Sequence, residues 1–306
     1  MKIVMMGSGG VGGFFGAKLA AGGADVHFVA RGKHLNAMRT HGLTIEGPAP
    51  LHLAKVQATD DPSSIGPADF VLVGIKLWDT ASGIEQIRPI VGPNTCVISF
   101  QNGVLKDRYL REAFGDSRIM GGVAYMGTAI DRPGVIRQTG PMQRLLFGEF
   151  DGTPSARGQR LLDACMKGGI AAEFSPNIQR EIWQKFVFLV GLSGTTTTMR
   201  TTIGPIRENA QTRAFLRDVM REVVAVGRAH GIDLPADYAE QRLALIDNVA
   251  YDMTSSMHHD LQHGNRLEVR WLSGGVVELG DAVGVPAPLN RAIADILALH
   301  ASGGAK

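Results

Sequence analysis

The order in which residues 1–31 run limits the possible folds more than any other feature. Lys2-Ile3-Val4-Met5-Met6 has the pattern of a short apolar strand. Gly7-Ser8-Gly9-Gly10-Val11-Gly12-Gly13 follows as a glycine turn, Phe14 to Ala21 as a small-residue amphipathic segment, and Val26 to Ala30 as a second apolar strand ending at Arg31. Strand, glycine turn, helix and strand, in that order, predict a dinucleotide-binding βαβ unit. Gly7 lets the chain turn sharply off the strand. Gly9 carries no Cβ, so a pyrophosphate can lie against the backbone, and Gly12 lets helix and strand pack closely. The amides of Gly7, Ser8, Gly9, Gly10, Val11 and Gly12, at the positive end of the helix, are the expected cradle for the phosphates.

The end of the second strand indicates which dinucleotide. A chain selective for NAD places an acid there to bond the ribose 2′-hydroxyl. Here the position reads Ala30-Arg31-Gly32-Lys33. Arg31 can hold a 2′-phosphate through two bonds and stack on the adenine, and Lys33 adds charge nearby. The expected cofactor is NADP(H).

A chain of 306 residues is expected to form about two domains. Its 44% hydrophobic and 20% charged residues describe an ordinary globular protein, and a formal charge of +2 gives no reason to expect a nucleic-acid partner. No apolar run approaches about 18 residues, so no membrane partner is expected. Met1 opens directly on a core strand pattern rather than a secretory signal, which leads to a cytoplasmic expectation. Cys96 and Cys165 both sit in apolar runs and read as small buried hydrophobes. No Cys/His spacing suits zinc, and His258, His259 and His263 read as a solvated helix end, so no metal is expected.

Strand and helix patterns alternate through the first half. A helix is predicted near Lys33 to His41 and a strand around Leu51 to Thr59. Asp69 to Lys76 and Asn94 to Phe100 are apolar runs of buried-strand type, with a crossover helix over Thr80 to Ile90. Such strands separated by helices indicate a parallel sheet covered on both faces. Arg118 to Tyr125 adds a strand, and Val135 to Thr139 and Arg144 to Phe150 read as antiparallel strands closing the sheet. After Pro176 the pattern is helical, over Ile178 to Gly194, Gln211 to Gly231, Pro235 to Met257, Leu267 to Gly280 and Pro288 to Ala301. The expected fold is therefore an α/β Rossmann-type N-terminal domain, residues 1–175, followed by an all-α C-terminal domain, residues 176–306. The tail 302–306 is expected to be loose.

Ligands of such sheets bind outside the carboxyl ends of the strands, where Lys76 and the triplet Gln101-Asn102-Gly103 fall. Lys76 can hold a phosphate or a carboxylate. Asn102 can donate and accept, or serve only an Asn-Gly turn. In Glu181-Ile182-Trp183-Gln184-Lys185-Phe186, Lys185 interrupts an apolar helix. It must either snorkel to solvent or point into a cleft, where it can give a proton to a carbonyl oxygen. Glu268, after the Gly264-Asn265 turn, reads as a first-turn acid of the next helix, and Ser255 and Ser256 as caps or ligand contacts.

These pieces together resemble the ketopantoate reductase (2-dehydropantoate 2-reductase) family over essentially the whole chain. The resemblance lies in GSGGVGG at Gly7 to Gly13, Arg31, GIK at Gly74 to Lys76, QNG at Gln101 to Gly103, EIWQK at Glu181 to Lys185, TIGPIRE at Thr202 to Glu208 and SSMHHDLQHGNRLE at Ser255 to Glu268. It implies a Rossmann domain joined to a helical domain like that of 6-phosphogluconate dehydrogenase, with the active site in the cleft between them. It implies NADPH as hydride donor and a 2-oxo acid as acceptor, nominally 2-dehydropantoate, as in pantothenate biosynthesis. Lys185 is then the general acid and Glu268 the residue that orients the substrate hydroxyl. Asn102 and Ser256 contact substrate, Lys76 lies between cofactor and substrate, and Asn102 and Glu268 also border the cofactor. Family members carry asparagines four and eight residues after the lysine; here the positions are Leu189 and Ser193, on the lysine's own helix face. Leu189 cannot hydrogen-bond a substrate, which leaves a less polar 2-oxo acid or another carbonyl compound as an alternative acceptor. A non-catalytic NADP-binding protein is the alternative from another class. Related proteins often dimerise, and a homodimer is one assembly open to this chain; the sequence does not select it.

Overall fold

The computed structural model describes residues 1–304. It divides into two compact units. The first comprises Met1–Gln101 and Lys106–Glu181; the second comprises Asn102–Leu105 and the chain from Ile182 onward. The division falls inside a helix, between Glu181 and Ile182, and four residues from the sheet region group with the helices.

The first unit is built on β1 (Lys2–Met6), α1 (Gly10–Ala21), β2 (Asp25–Val29), α2 (Gly32–His41), β3 (Leu43–Glu46), β4 (Leu51–Leu53), β5 (Gln57–Thr59), β6 (Phe70–Val73), α3 (Thr80–Ile87), β7 (Cys96–Ser99), α4 (Leu105–Phe114), β8 (Ile119–Arg132), β9 (Val135–Gly148), α5 (Ala156–Lys167) and β10 (Ala171–Phe174). The sheet runs β4-β3-β9-β8-β7-β6-β1-β2-β5, with β10 paired to β9. β1 lies parallel to both β2 and β6, and β6 parallel to β7.

Side-chain alternation explains why the central strands read as continuous apolar runs. Ile3, Met5, Phe70, Leu72, Cys96 and Ile98 enter one core, with Phe14, Phe15, Leu161 and Cys165 from α1 and α5. Val4, Met6, Val71, Val73 and Val97 enter a second core on the opposite face, with Ile84, Ile87, Leu110 and Phe114 from α3 and α4. Both faces being covered, the inner positions of these strands are apolar on both sides. Each fully buried aliphatic or Phe side chain contributes about 1.5–3 kcal/mol. Cys96 and Cys165 are free and buried, and burial pushes both thiols up to about 12.

Several expected elements differ. The strand expected over Leu51 to Thr59 is two strands on opposite edges of the sheet, β4 against β3 and β5 against β2. The antiparallel strands expected at Val135 to Thr139 and Arg144 to Phe150 are one strand, β9. It pairs with an equally long β8 whose register shifts twice, between Met126 and Thr128 and between Ile130 and Arg132. Such irregularities let a long hairpin bend without ending.

The second unit contains most of α6 (Ile178–Met199), then α7 (Ile203–Glu208), α8 (Ala210–Ala229), α9 (Tyr238–Ile246), α10 (Ser256–Gln262), α11 (Ser273–Val283) and α12 (Pro288–Ile296). Phe186, Val187 and Val190 of α6, Leu216, Val219, Met220 and Val223 of α8, and Val276 and Ile293 of α11 and α12 form its core. The helix expected over Pro235 to Met257 is broken after Ile246. Asp247 and Asn248 favour irregular backbone there, and Ser255 caps a new helix by accepting from the His258 amide at 3.1 Å. The helix expected from Leu267 begins only at Ser273, because Leu272 (φ −89°, ψ −97°) leaves helical geometry. The tail is not loose through Gly304, whose amide donates to the Gly264 carbonyl at 2.9 Å. Ala305 and Lys306 lie outside the described residues. Among the described residues no helix is long and apolar enough to cross a membrane.

Candidate active site

In the first unit, the predicted phosphate cradle sits at the carboxyl end of β1. Gly7 has φ +94°, and a Cβ at Gly12 would collide with the Gly7 carbonyl oxygen. Strand and helix therefore meet backbone to backbone. A Cβ at Gly9 would meet nothing within 4 Å, so the outer side of the turn is open backbone. Gly9 caps α1 without a side-chain bond, and the first turn carries no acid. The first helical bond runs from Gly13 N to Gly9 O at 2.7 Å, so the preceding amides lie outside the ladder. Unladdered amides in a first turn that carries no acid, beside the open backbone of Gly9, suit a diphosphate. Ser8 is a correction to the expected cradle: it is buried, its amide and its hydroxyl both donate to the Val29 carbonyl at 3.0 Å, and its carbonyl meets the His34 ring, so its polar groups hold β2 and α2 rather than facing a phosphate.

β2 and β6 flank β1, so their ends border the same turn. Arg31, at the end of β2, is 83% exposed and pairs with Asp79 at 2.8 Å. Lys76, after β6, holds its ammonium 5.4 Å from the centre of the Trp78 ring. Sequence reading missed two of the residues here. Asp79 is one: the β2 end carries no acid, yet the fold delivers one from the β6 side. His34 is the other. Its ring accepts from the Gly134 amide at Nδ1 (3.1 Å) and meets the Ser8 carbonyl at Nε2 (2.9 Å), tying the glycine turn to the β8–β9 hairpin. Its position in the first turn of α2, three residues after Arg31, was the only available signal.

The second unit brings together Asn102, Lys185 and Glu268. Lys185 Nζ donates to Asn102 Oδ1 at 3.0 Å, and Asn102 Nδ2 donates to Glu268 Oε2 at 3.5 Å. One amide thus separates a cation from a carboxylate, using both of its hydrogen-bonding faces. Asn102 is in place because Gly103 (φ +77°) turns the chain and Val104 packs on the helical core. Its neighbour Gln101 is committed elsewhere, bonding Thr80 and Ser99 at 2.9 Å. Lys185 is fixed by its helix: Trp183 and Phe186 beside it are buried edge to face, centroids 5.6 Å apart. Glu268 is a correction to the expected first-turn acid. It precedes α11 in a separate turn, where its own carbonyl accepts from the Trp271 and Leu272 amides, and it is only 5% exposed.

The remaining expected residues are more scattered. Leu189 is half-buried one turn beyond Lys185. Ser193, a further turn along, is fully buried, and its hydroxyl makes no hydrogen bond. Ser256 is exposed at the first position of α10, whereas Ser255 is buried, capping that helix and contacting the Thr196 hydroxyl at 3.2 Å. His258 lies buried in α10, while His259 and His263 stack at 4.0 Å. Among the described residues no group of three or more His, Cys, Asp or Glu side chains is arranged to hold a metal ion.

Comparison with known proteins covers most of the chain. Residues 3–152 match the family profile described as "Ketopantoate reductase PanE/ApbA", and residues 177–301 match "Ketopantoate reductase PanE/ApbA C terminal". The 2-dehydropantoate 2-reductase of Mesorhizobium japonicum is 31% identical over 96% of this chain and 95% of its own length. An uncharacterized oxidoreductase of Bacillus subtilis, YkpB, is 30% identical over 94% of this chain and 95% of its own. The crystal structure of 2-dehydropantoate 2-reductase from Geobacter metallireducens superposes with a TM-score of 0.91 at 28% identity, covering 98% of this chain and 99% of the other.

Proposed function

We propose, given that this chain belongs to the ketopantoate reductase PanE/ApbA family, that it reduces a 2-oxo acid with NADPH, nominally 2-dehydropantoate to pantoate in the cytoplasm. The observation that carries this reading is the Lys185–Asn102–Glu268 relay. NADPH, when bound, supplies the hydride that the carbonyl carbon takes up. The amides of Gly9 to Gly12 would hold its pyrophosphate, Arg31 its 2′-phosphate, and Lys76 its remaining negative charge.

Chemistry at the substrate falls to the relay. Lys185 Nζ delivers a proton to the carbonyl oxygen as negative charge develops there, and its cationic charge stabilises that oxygen beforehand. Asn102 holds the ammonium in place through Oδ1. Glu268 accepts a hydrogen bond from the substrate hydroxyl, and its near-complete burial strengthens that bond.

One observation favours a second acceptor. Leu189 presents an apolar side chain on the Lys185 face of α6, where the family carries asparagine, and so suits a 2-oxo acid with a less polar side chain. A missing polar contact in a buried site costs on the order of 1–3 kcal/mol, or about one to two decades in rate.

A spectrophotometric panel tests both readings, pairing NADPH with 2-dehydropantoate and with more apolar 2-oxo acids. Lys185→Ala is expected to lower kcat by about 10²–10⁴-fold on the best acceptor while the NADPH Kd stays put. Undiminished turnover in that variant removes Lys185 from the mechanism. An absence of NADPH oxidation across the panel leaves the chain a binding protein.

A further inference from the structure

The end of β2 lacks an acid, yet Arg31 is not without one. Its guanidinium reaches Asp79 at 2.8 Å. Asp79 follows β6, and β1 lies between β6 and β2. Strands two places apart are about 10 Å apart, so the pair spans the carboxyl end of β1, from which the glycine turn springs.

The two partners are unequally held. Asp79 is 25% exposed, against 83% for Arg31. Its amide bonds the Lys76 carbonyl at 3.0 Å and its carbonyl accepts from Ser82 at 2.9 Å. Asp79 is the fixed member, and Arg31 is the long side chain that can swing. Its carboxylate makes no capping bond to α3. Helix capping therefore does not account for an acid at this position.

We propose that Asp79 is a cofactor-selectivity residue: it competes with a dinucleotide 2′-phosphate for the Arg31 guanidinium. The proposal rests on the NADP(H) reading above. A 2′-phosphate must either take Arg31 from Asp79 or share it and lie beside a carboxylate of like charge. A ribose 2′-hydroxyl carries no charge and meets neither cost. Asp79 thus lowers the preference for NADPH over NADH that Arg31 creates, narrowing the discrimination between the two carriers.

The test measures Kd for NADPH and NADH by calorimetry, without substrate, on the wild type, Asp79→Asn and Arg31→Ala. Asp79→Asn keeps the side-chain shape and removes its charge. It is expected to raise the ratio of NADH Kd to NADPH Kd by about two- to fivefold, the range set by a single exposed ion pair. The gain should shrink as salt is raised from 0.1 to 1 M, because the screening length falls from about 10 to about 3 Å. An unchanged or lowered ratio in Asp79→Asn overturns the proposal. If Arg31→Ala weakens NADPH while Asp79→Asn is inert, only the competition fails. If Arg31→Ala leaves NADPH affinity untouched, the NADP(H) reading fails and takes the competition with it.

Discussion

A single ring shows how much of the cofactor turn depends on one proton. The Gly134 amide can only donate, so His34 Nδ1 must accept, and the ring's proton sits on Nε2, donating to the Ser8 carbonyl. A second proton would face the Gly134 N–H. Burial lowers the pKa of His34 below its ordinary 6.5, and burial lowers that of His258 as well. Both groups bind protons more readily in the unfolded chain. Their contribution to stability is present above about pH 6.5 and is lost as pH falls through the folded-state values, at up to about 1.4 kcal/mol per pH unit for each. Urea-unfolding midpoints taken from pH 7.5 to 5 should therefore fall, and His34→Gln should flatten that fall. Parallel pH profiles for variant and wild type would show that His34 does not carry the effect.

Elements extend past their sequence signals where side chains supply bonds the pattern does not reveal. The sequence pattern carries α6 to Gly194, short of Thr195-Thr196-Thr197-Thr198. Instead Thr195, Thr196 and Thr198 donate back to the carbonyls of Gly191, Leu192 and Gly194 at 2.6–2.8 Å, which satisfies these three hydroxyls within the helix, while the Thr197 hydroxyl is buried without a hydrogen bond. The helix ends at Arg200, the one non-glycine residue with positive φ (52°) among those described, and the Thr201 amide closes the end by donating to the Thr196 carbonyl at 3.3 Å. A left-handed arginine costs roughly 1–2 kcal/mol, while glycine there loses more chain entropy. Arg200→Gly is accordingly expected to raise unfolding stability by about 0.5–1 kcal/mol, read from denaturant midpoints. A destabilised variant would mean that the Arg200 contact with His300, at 3.2 Å, outweighs the strain.

At the scale of the molecule, periodicity and glycine chemistry made the architecture legible: a covered α/β sheet followed by helices. What stayed hidden was what depends on long-range pairing. β3 and β10 are short strands defined by their partners β9, and α4 and α7 lie in segments whose polar residues mask the apolar face. At the site, Lys185 was readable as a cation interrupting an apolar helix, Asn102 as a polar strand end or turn residue and Glu268 as a first-turn acid, and the family resemblance gave them roles. Their joining through one amide, the grouping of residues 102–105 with the helices, and the meeting of Asp79 with Arg31 required the fold. These features yield a prediction for the whole chain. A ligand that binds only the folded form at 100 times its Kd adds about 2.7 kcal/mol of stability. At roughly 2 °C per kcal/mol for a chain of this size, NADPH should raise Tm by about 5 °C. A tenfold loss of affinity removes about 1.4 kcal/mol, so Arg31→Ala at the same NADPH concentration should keep only about half the shift. NADH, which lacks the phosphate that Arg31 would hold, should give the wild type a smaller shift than NADPH and lose little of it in Arg31→Ala. A wild-type Tm unmoved by NADPH in thermal denaturation would contradict binding at the glycine turn.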